Sequence, residues 1–231
     1  MSDNTAFFQE YTSPEAVAKY TRATAGFGVS YLLDHDYKRV YLQALRRLPR
    51  GVCQRGIRML EFGCGGGMNL IHLVSVLDEE GIRVEKAIGT DFSPVLIEEA
   101  HREARSSFGE KERQRLAFHV VDNGRLLEGL LASGLASGEL RNSFHFVLGV
   151  NTIRYCHAAG RELQCARDIF DLLTPGGICV AIDMNNRYPL FRSDLKRKLR
   201  RRPEEEECYV PTLEEYTAPF SQAGFEVVRS A

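Results

Sequence analysis

The chain of 231 residues predicts an α/β fold: a doubly wound, mostly parallel sheet with helices on both faces. Three observations carry this. From Ile57 onward, short apolar runs alternate with segments of helical period at the spacing of βαβ units. The runs close on polar residues, namely Glu61, Asp91, Asp122, Asn151 and Asp183. The first run is followed at once by a glycine-rich turn, Gly63-Cys64-Gly65-Gly66-Gly67. In open parallel sheets with right-handed crossovers, ligands sit beyond the carboxyl ends of the strands, where the strand order reverses. Polar residues converging on that rim mark a site.

The first strand is predicted over Ile57 to Phe62, and its helix over about Met68 to Leu77, with Leu70, Ile71, Val74 and Leu77 on one face. A strand that turns directly into a helix leaves backbone N–H groups and the positive end of the helix dipole facing a ligand. The second strand covers Val84 to Thr90 and ends in Asp91. Ser93-Pro94 then opens a helix, with serine as N-cap and proline at the first helical position. The third strand covers Leu116 to Val121 and ends in Asp122. Residues 124–143 predict one short helix plus a loop, because Ser133-Gly134 and Ser137-Gly138 interrupt them. The fourth strand covers Phe144 to Val150. The following helix, Glu162 to Leu173, stops at Thr174-Pro175-Gly176-Gly177, and a fifth strand runs from Ile178 to Asp183.

Two segments lie outside this core. Residues 1–50 predict a helical lid, with Tyr37, Val40, Tyr41, Ala44, Leu45 and Leu48 on one apolar stripe. Tyr11, Tyr20 and Phe27 precede that stripe in a flexible context suited to closing over a cation. The remaining domain spans residues 51–231 and carries an insert at about 187–211, with a basic block from Lys196 to Arg202 and an acidic one from Glu204 to Glu207. The two blocks can neutralise one another. Thr212-Leu213-Glu214-Glu215 reads as a capping box that opens a helix to about Gln222. Ala223 to Val228 would end that helix and begin a sixth strand.

Composition narrows the function. A net charge of −1 gives no global field toward nucleic acid or an anionic membrane. The six cysteines are scattered without metal-ligand spacing, so no metal is expected and the thiols read as reduced, in a cytoplasmic protein. The N-terminus lacks the pattern of a signal peptide, and no apolar run approaches the length of a membrane span. Oligomeric state is left open.

The order of these motifs resembles the class I S-adenosylmethionine-dependent methyltransferases over residues 55–230. Residues 61–67 resemble the family's glycine loop, Asp91 the acid that binds the ribose hydroxyls, and Asp122 with Asn123 the pair that reads the adenine edge. Leu172 to Gly177 is similar to the turn before strand five, and Ala223-Gly224-Phe225 to the turn into strand six. The resemblance therefore implies a Rossmann-like methyltransferase fold that binds S-adenosylmethionine and releases S-adenosylhomocysteine. It places Glu61, Gly63, Gly65, Gly67, Asp91, Phe92, Asp122, Asn123 and Asn151 at the cofactor, with Arg22 as a candidate for its carboxylate. Physically, a carboxylate suits the parallel donors of a vicinal diol. Glu61 is open between orienting the methionyl end and capping the loop's own N–H groups. Two departures stand out: His145 sits where the family carries an acid early in strand four, which implies a changed hydrogen bond, and the seventh strand is missing.

Methyl transfer is an in-line displacement, in which alignment supplies much of the rate and a base takes the acceptor's proton. Past the fourth strand, Arg154, Tyr155 and His157 are the candidate catalytic residues: His157 as base, Arg154 as a clamp on an acceptor carboxylate, Tyr155 packing beside them. No Asn-Pro-Pro-aromatic tetrad follows strand four, which argues against the amino-group DNA methylases. The expected acceptor is a small molecule. An RNA or protein methyltransferase on the same core, or a non-catalytic relative that binds the nucleoside, are the alternatives.

Overall fold

The computed structural model describes residues 12–13, 35–183 and 211–228. In them five strands form one parallel sheet in the order β3-β2-β1-β4-β5. The strands are β1 (Ile57–Phe62), β2 (Val84–Asp91), β3 (Leu116–Val120), β4 (Phe144–Val150) and β5 (Leu173–Ile182). The order reverses between β1 and β4, so the switch point lies above the glycine turn.

Helices cover both faces. On one face α1 (His35–Leu45), α3 (Met68–Glu79) and α4 (Pro94–Ser107) pack on the sheet, while α2 (Arg50–Arg55) leads into β1. Here Tyr41, Leu45, Leu70, Leu73 and Ile97 bury against Met59, Phe146 and Leu148. After the short α5 (Glu110–Arg113) and β3, the chain crosses to the other face. There α6 (Leu126–Ala132), α7 (Ser137–Leu140), α8 (Ile153–Ala158), α9 (Glu162–Leu172) and α10 (Leu213–Ala223) follow. Their Leu126, Leu130, Cys165, Ile169 and Phe220 bury against Leu60, Phe62 and Val147. Fully burying one such side chain stabilises by about 1.5–3 kcal/mol.

The caps read from sequence form as expected. The Leu96 N–H donates to Ser93 Oγ at 3.3 Å, with Pro94 in the first turn. Thr212 and Glu215 exchange both bonds of a capping box.

Three expectations are corrected. Residues 124–143 are not one helix but a 3-10 turn (Asn123–Arg125) followed by α6 and α7. Thr174 to Gly177 is not a turn ahead of the strand. β5 has already begun at Leu173, opposite Phe144, and its register resumes with Ile178 opposite Phe146, so the four residues bulge out of the strand. The sixth strand does not form within residues 225–228. Phe225 instead sets its ring against Phe170 and Phe220, with centroids 5.2 and 5.6 Å away. No strand pairs with the outer edge of β5 among the described residues.

His145 makes the changed bond. The β1–β2 register slips between Ile57 and Arg58, and the Arg58 N–H donates to His145 Nδ1 at 3.0 Å. Burial holds the imidazole below the ordinary histidine range, with Glu85 opposing and Arg58 and Arg55 adding to the shift. A neutral ring is what this bond needs, since only an unprotonated Nδ1 accepts.

Candidate functional site

The turn out of β1 is left-handed at alternate residues, with φ of 69° at Gly63, 52° at Gly65 and 79° at Gly67. Two of these glycines answer to different constraints. A Cβ on Gly63 would stand 2.0 Å from Thr152 Cγ2, so the loop closes directly onto the end of β4. A Cβ on Gly65 would meet nothing within 4 Å, so the backbone there faces open space. The structure turns Gly67 elsewhere: its Cβ would lie 2.9 Å from both Ala100 and Phe118, a packing constraint.

Asp91 ties the loop down. Its Oδ2 accepts the Gly65 N–H at 3.0 Å and its Oδ1 the Ser93 N–H at 2.9 Å. The carboxyl is buried, and that burial raises its pKa against the lowering effect of the Ser93, Gly65 and Phe92 N–H groups. A carboxylate has about four acceptor positions, so these bonds leave room for a ligand hydroxyl. Phe92, half-buried, follows directly.

Glu61 lies beneath the turn and is completely buried. Its Oε2 accepts the Leu70 N–H at 3.0 Å and its Oε1 the Asn69 amide at 3.1 Å. Gly67, the N-cap of α3, has no side chain to offer, so Glu61 caps that helix from the strand below. Burial pushes the carboxyl up to about 8; Asn69 and Leu70 lower it, and Asp91 raises it further.

Past the end of β3, Asp122 Oδ1 accepts the Gly124 N–H at 2.8 Å and Oδ2 accepts from Arg161 at 3.3 Å. Asn123 places its amide Nδ2 near Gly63, and its Oδ1 is buried with no hydrogen-bond partner. Asn151 takes a left-handed φ of 57°, and its N–H donates to the Ile182 carbonyl at 2.7 Å. Gly63, Gly65, Asp91, Asn123, Asn151 and the buried Thr152 thus meet at the switch point.

The candidates past β4 lie on α8. Tyr155 is half-buried, and the side chain of Arg154 lies outside the described residues. His157 Nδ1 stands 2.8 Å from Glu162 Oε1 on α9. Glu215 of α10 is held below the ordinary carboxylate range by its bonds to Thr212. A histidine oriented by a carboxylate is the usual arrangement of a base and its holder. Arg22, Tyr11, Tyr20, Phe27 and the 196–202 block also lie outside the described residues. Sequence reasoning missed Asn69, Thr152, Arg161 and Glu162, which act through contacts between elements and leave no local pattern. Among the described residues no cluster suits a metal ion, and no helix is long and apolar enough to cross a membrane.

A family model described as a methyltransferase domain matches residues 33–230. Solved structures share the fold. The [4+2]-cyclase SpnF aligns with a TM-score of 0.53 and 18% identity, over 75% of this chain and 53% of that one. The CMeT domain of the citrinin polyketide synthase aligns with a TM-score of 0.54 and 24% identity, over 79% of this chain and 43% of the other. Geranyl diphosphate methyltransferase, in complex with SAM, aligns with a TM-score of 0.52 and 16% identity, over 78% and 61%. The chain spans about half the length of the first two. No curated protein matches it.

Proposed function

The chain belongs to the class I S-adenosylmethionine-dependent methyltransferase family, and from that premise we propose that it methylates a small-molecule acceptor. The observation that carries the cofactor site is the pairing of Asp91 with the Gly65 N–H beneath open space at the switch point. The residues fit the group: Asp91 for the ribose diol, the unpartnered Asn123 Oδ1 for the adenine amine, the bare Gly65 backbone for close approach. When bound, S-adenosylmethionine supplies an electrophilic methyl on a sulfonium. The chain holds that group in line and keeps water out; most of the proposed lid (residues 1–50) and of the proposed insert (187–211) lies outside the described residues, and α1 packs in the core.

The small-molecule reading is supported by the net charge of −1 and by the lack of an Asn-Pro-Pro-aromatic tetrad after β4. It also agrees with the acceptor named for one structural neighbour, geranyl diphosphate methyltransferase. A fold that also hosts a [4+2]-cyclase does not itself decide the acceptor. A cytoplasmic location fits the free thiols among the described residues.

Two variants test the roles. Asp91→Ala should weaken S-adenosylhomocysteine binding by about 1.5–3 kcal/mol, the range for a bond to a charged group. Calorimetry reads this, and unchanged affinity would remove Asp91 from the site. His157→Ala and Glu162→Gln should both lower turnover of an accepted substrate while leaving cofactor affinity alone. Full turnover in both would place the base elsewhere. Acceptor binding that falls steeply with salt would instead favour an RNA substrate.

A further inference from the structure

Three acids are buried among the described residues, Glu61, Asp91 and Asp168, and Asp168 is the one with no part in the site above. It stands on α9 with Cys165, Ala166, Ile169 and Leu172, the other buried residues of that helix. An apolar side chain would pack there without the cost of burying a carboxyl, so Asp168 needs an account. Its bonds supply one. Oδ2 accepts the Leu127 N–H at 3.1 Å in the first turn of α6, where Arg125 offers no capping side chain. Oδ1 accepts from the Gln164 amide at 2.8 Å. Seven residues before Asp168, Arg161 reaches the same segment from its other end. Its Nη1 donates to Asp122 Oδ2 at 3.3 Å, and its side chain lies against Gly124, where a Cβ would stand 2.8 Å from Arg161 Cδ. Positions seven apart share a helix face, so one face of α9 grips residues 122–127 at both ends. Asn123 lies between the two grips, with Oδ1 buried and without a hydrogen-bond partner. A stranded acceptor is costly, and two anchors oppose the shift that would relieve it.

We propose that Asp168 and Arg161 are positioning residues for base selection: from α9 they fix residues 122–127 so that Asn123 Oδ1 stays aimed as an acceptor, and the site thereby prefers a ring bearing an amino group to one bearing an oxo group. The proposal rests on the S-adenosylmethionine reading above, which gives Asn123 the adenine amine, and adds what makes that contact selective. An amino group donates to Oδ1. An oxo group in its place sets acceptor against acceptor, and both are left unpaired away from water. The anchors matter because a segment free to shift could turn the Asn123 amide nitrogen toward the oxo group and satisfy it.

The test is calorimetric titration of the intact chain with S-adenosylhomocysteine and with S-inosylhomocysteine, in which an oxo group replaces the amine. The wild-type chain should bind the first at least about tenfold more tightly. Asp168→Leu and Arg161→Ala should each bring the two affinities to within about threefold of one another, chiefly by weakening S-adenosylhomocysteine. Asp168→Asn keeps an acceptor for the Leu127 N–H and Arg161→Lys keeps a donor for Asp122, so both should hold the wild-type ratio. Asn123→Ala should lose the ratio by itself, and adding Asp168→Leu to it should move the ratio no further. A wild-type chain that binds both ligands alike overturns the proposal. So do Asp168→Leu and Arg161→Ala variants that keep the wild-type ratio, whether both affinities fall together or neither falls, since the grip is then structural only. Arg161 is half-buried at the start of α9, and Arg161→Ala decides by itself should Asp168→Leu not fold. A wild-type chain that binds neither ligand overturns the S-adenosylmethionine reading as well, so the two failures are told apart.

Discussion

Gly63→Ala is expected to cost about 2–5 kcal/mol of stability, combining about 1–3 for overpacking with about 1–2 for a left-handed residue that carries a Cβ. The added methyl would stand 2.0 Å from Thr152 Cγ2, the closest approach at any described glycine. Neither side yields cheaply: Thr152 is buried at the end of β4, and Gly63 leaves β1 with φ of 69°. Against a total of about 5–15 kcal/mol such a loss is large. Urea unfolding measures it. Thr152→Ser, which deletes the offending methyl, should restore the overpacking share when combined with Gly63→Ala. Equal losses with and without Thr152→Ser would mean that the loop does not seat on β4.

Gly65→Val should do the converse, keeping the fold and losing the ligand. Its backbone is also left-handed, at φ of 52°, so some strain is expected. Nothing lies within 4 Å of the new Cβ, however, so no packed atom has to move. The isopropyl group would stand in the space above the turn and hold a ligand off the Gly65 backbone. The affinity for S-adenosylhomocysteine should fall by at least ~100-fold, about 2.7 kcal/mol, with the far-ultraviolet circular dichroism unchanged. Affinity within twofold of wild type would show that the ligand does not approach over Gly65. Two glycines two residues apart thus separate folding from binding.

Much of this was legible in the chain because local pattern and fold agree. The β1 strand is bounded by Gly56 before it and Gly63 after it, and β4 by turn residues, so both match their predicted limits, Ile57–Phe62 and Phe144–Val150. The Ser93-Pro94 and Thr212-Glu215 caps are local bonds, and local bonds read well from sequence. The bulge at Thr174 to Gly177 was not legible, since proline and glycine exclude helix without telling a loop from an interrupted strand. Helix α10 also runs through Pro219, against the usual rule. In the site, the structure bears on one of the two alternatives for Glu61: it accepts from the Leu70 N–H and so caps α3. Tyr41 was read correctly as core, but a helical stripe cannot say that its hydroxyl is buried without a hydrogen-bond partner. The partners of Gly63 and Asp122 come from distant elements, and no spacing announces them.

The measurement that bears most directly on the central claim is calorimetric titration of the chain with S-adenosylhomocysteine, with NADH as control. The arrangement of Asp91, Gly65 and Asn123 predicts one site per chain with Kd on the order of micromolar, about −8 kcal/mol, and no heat from NADH. Binding of NADH, or of neither ligand, would contradict it.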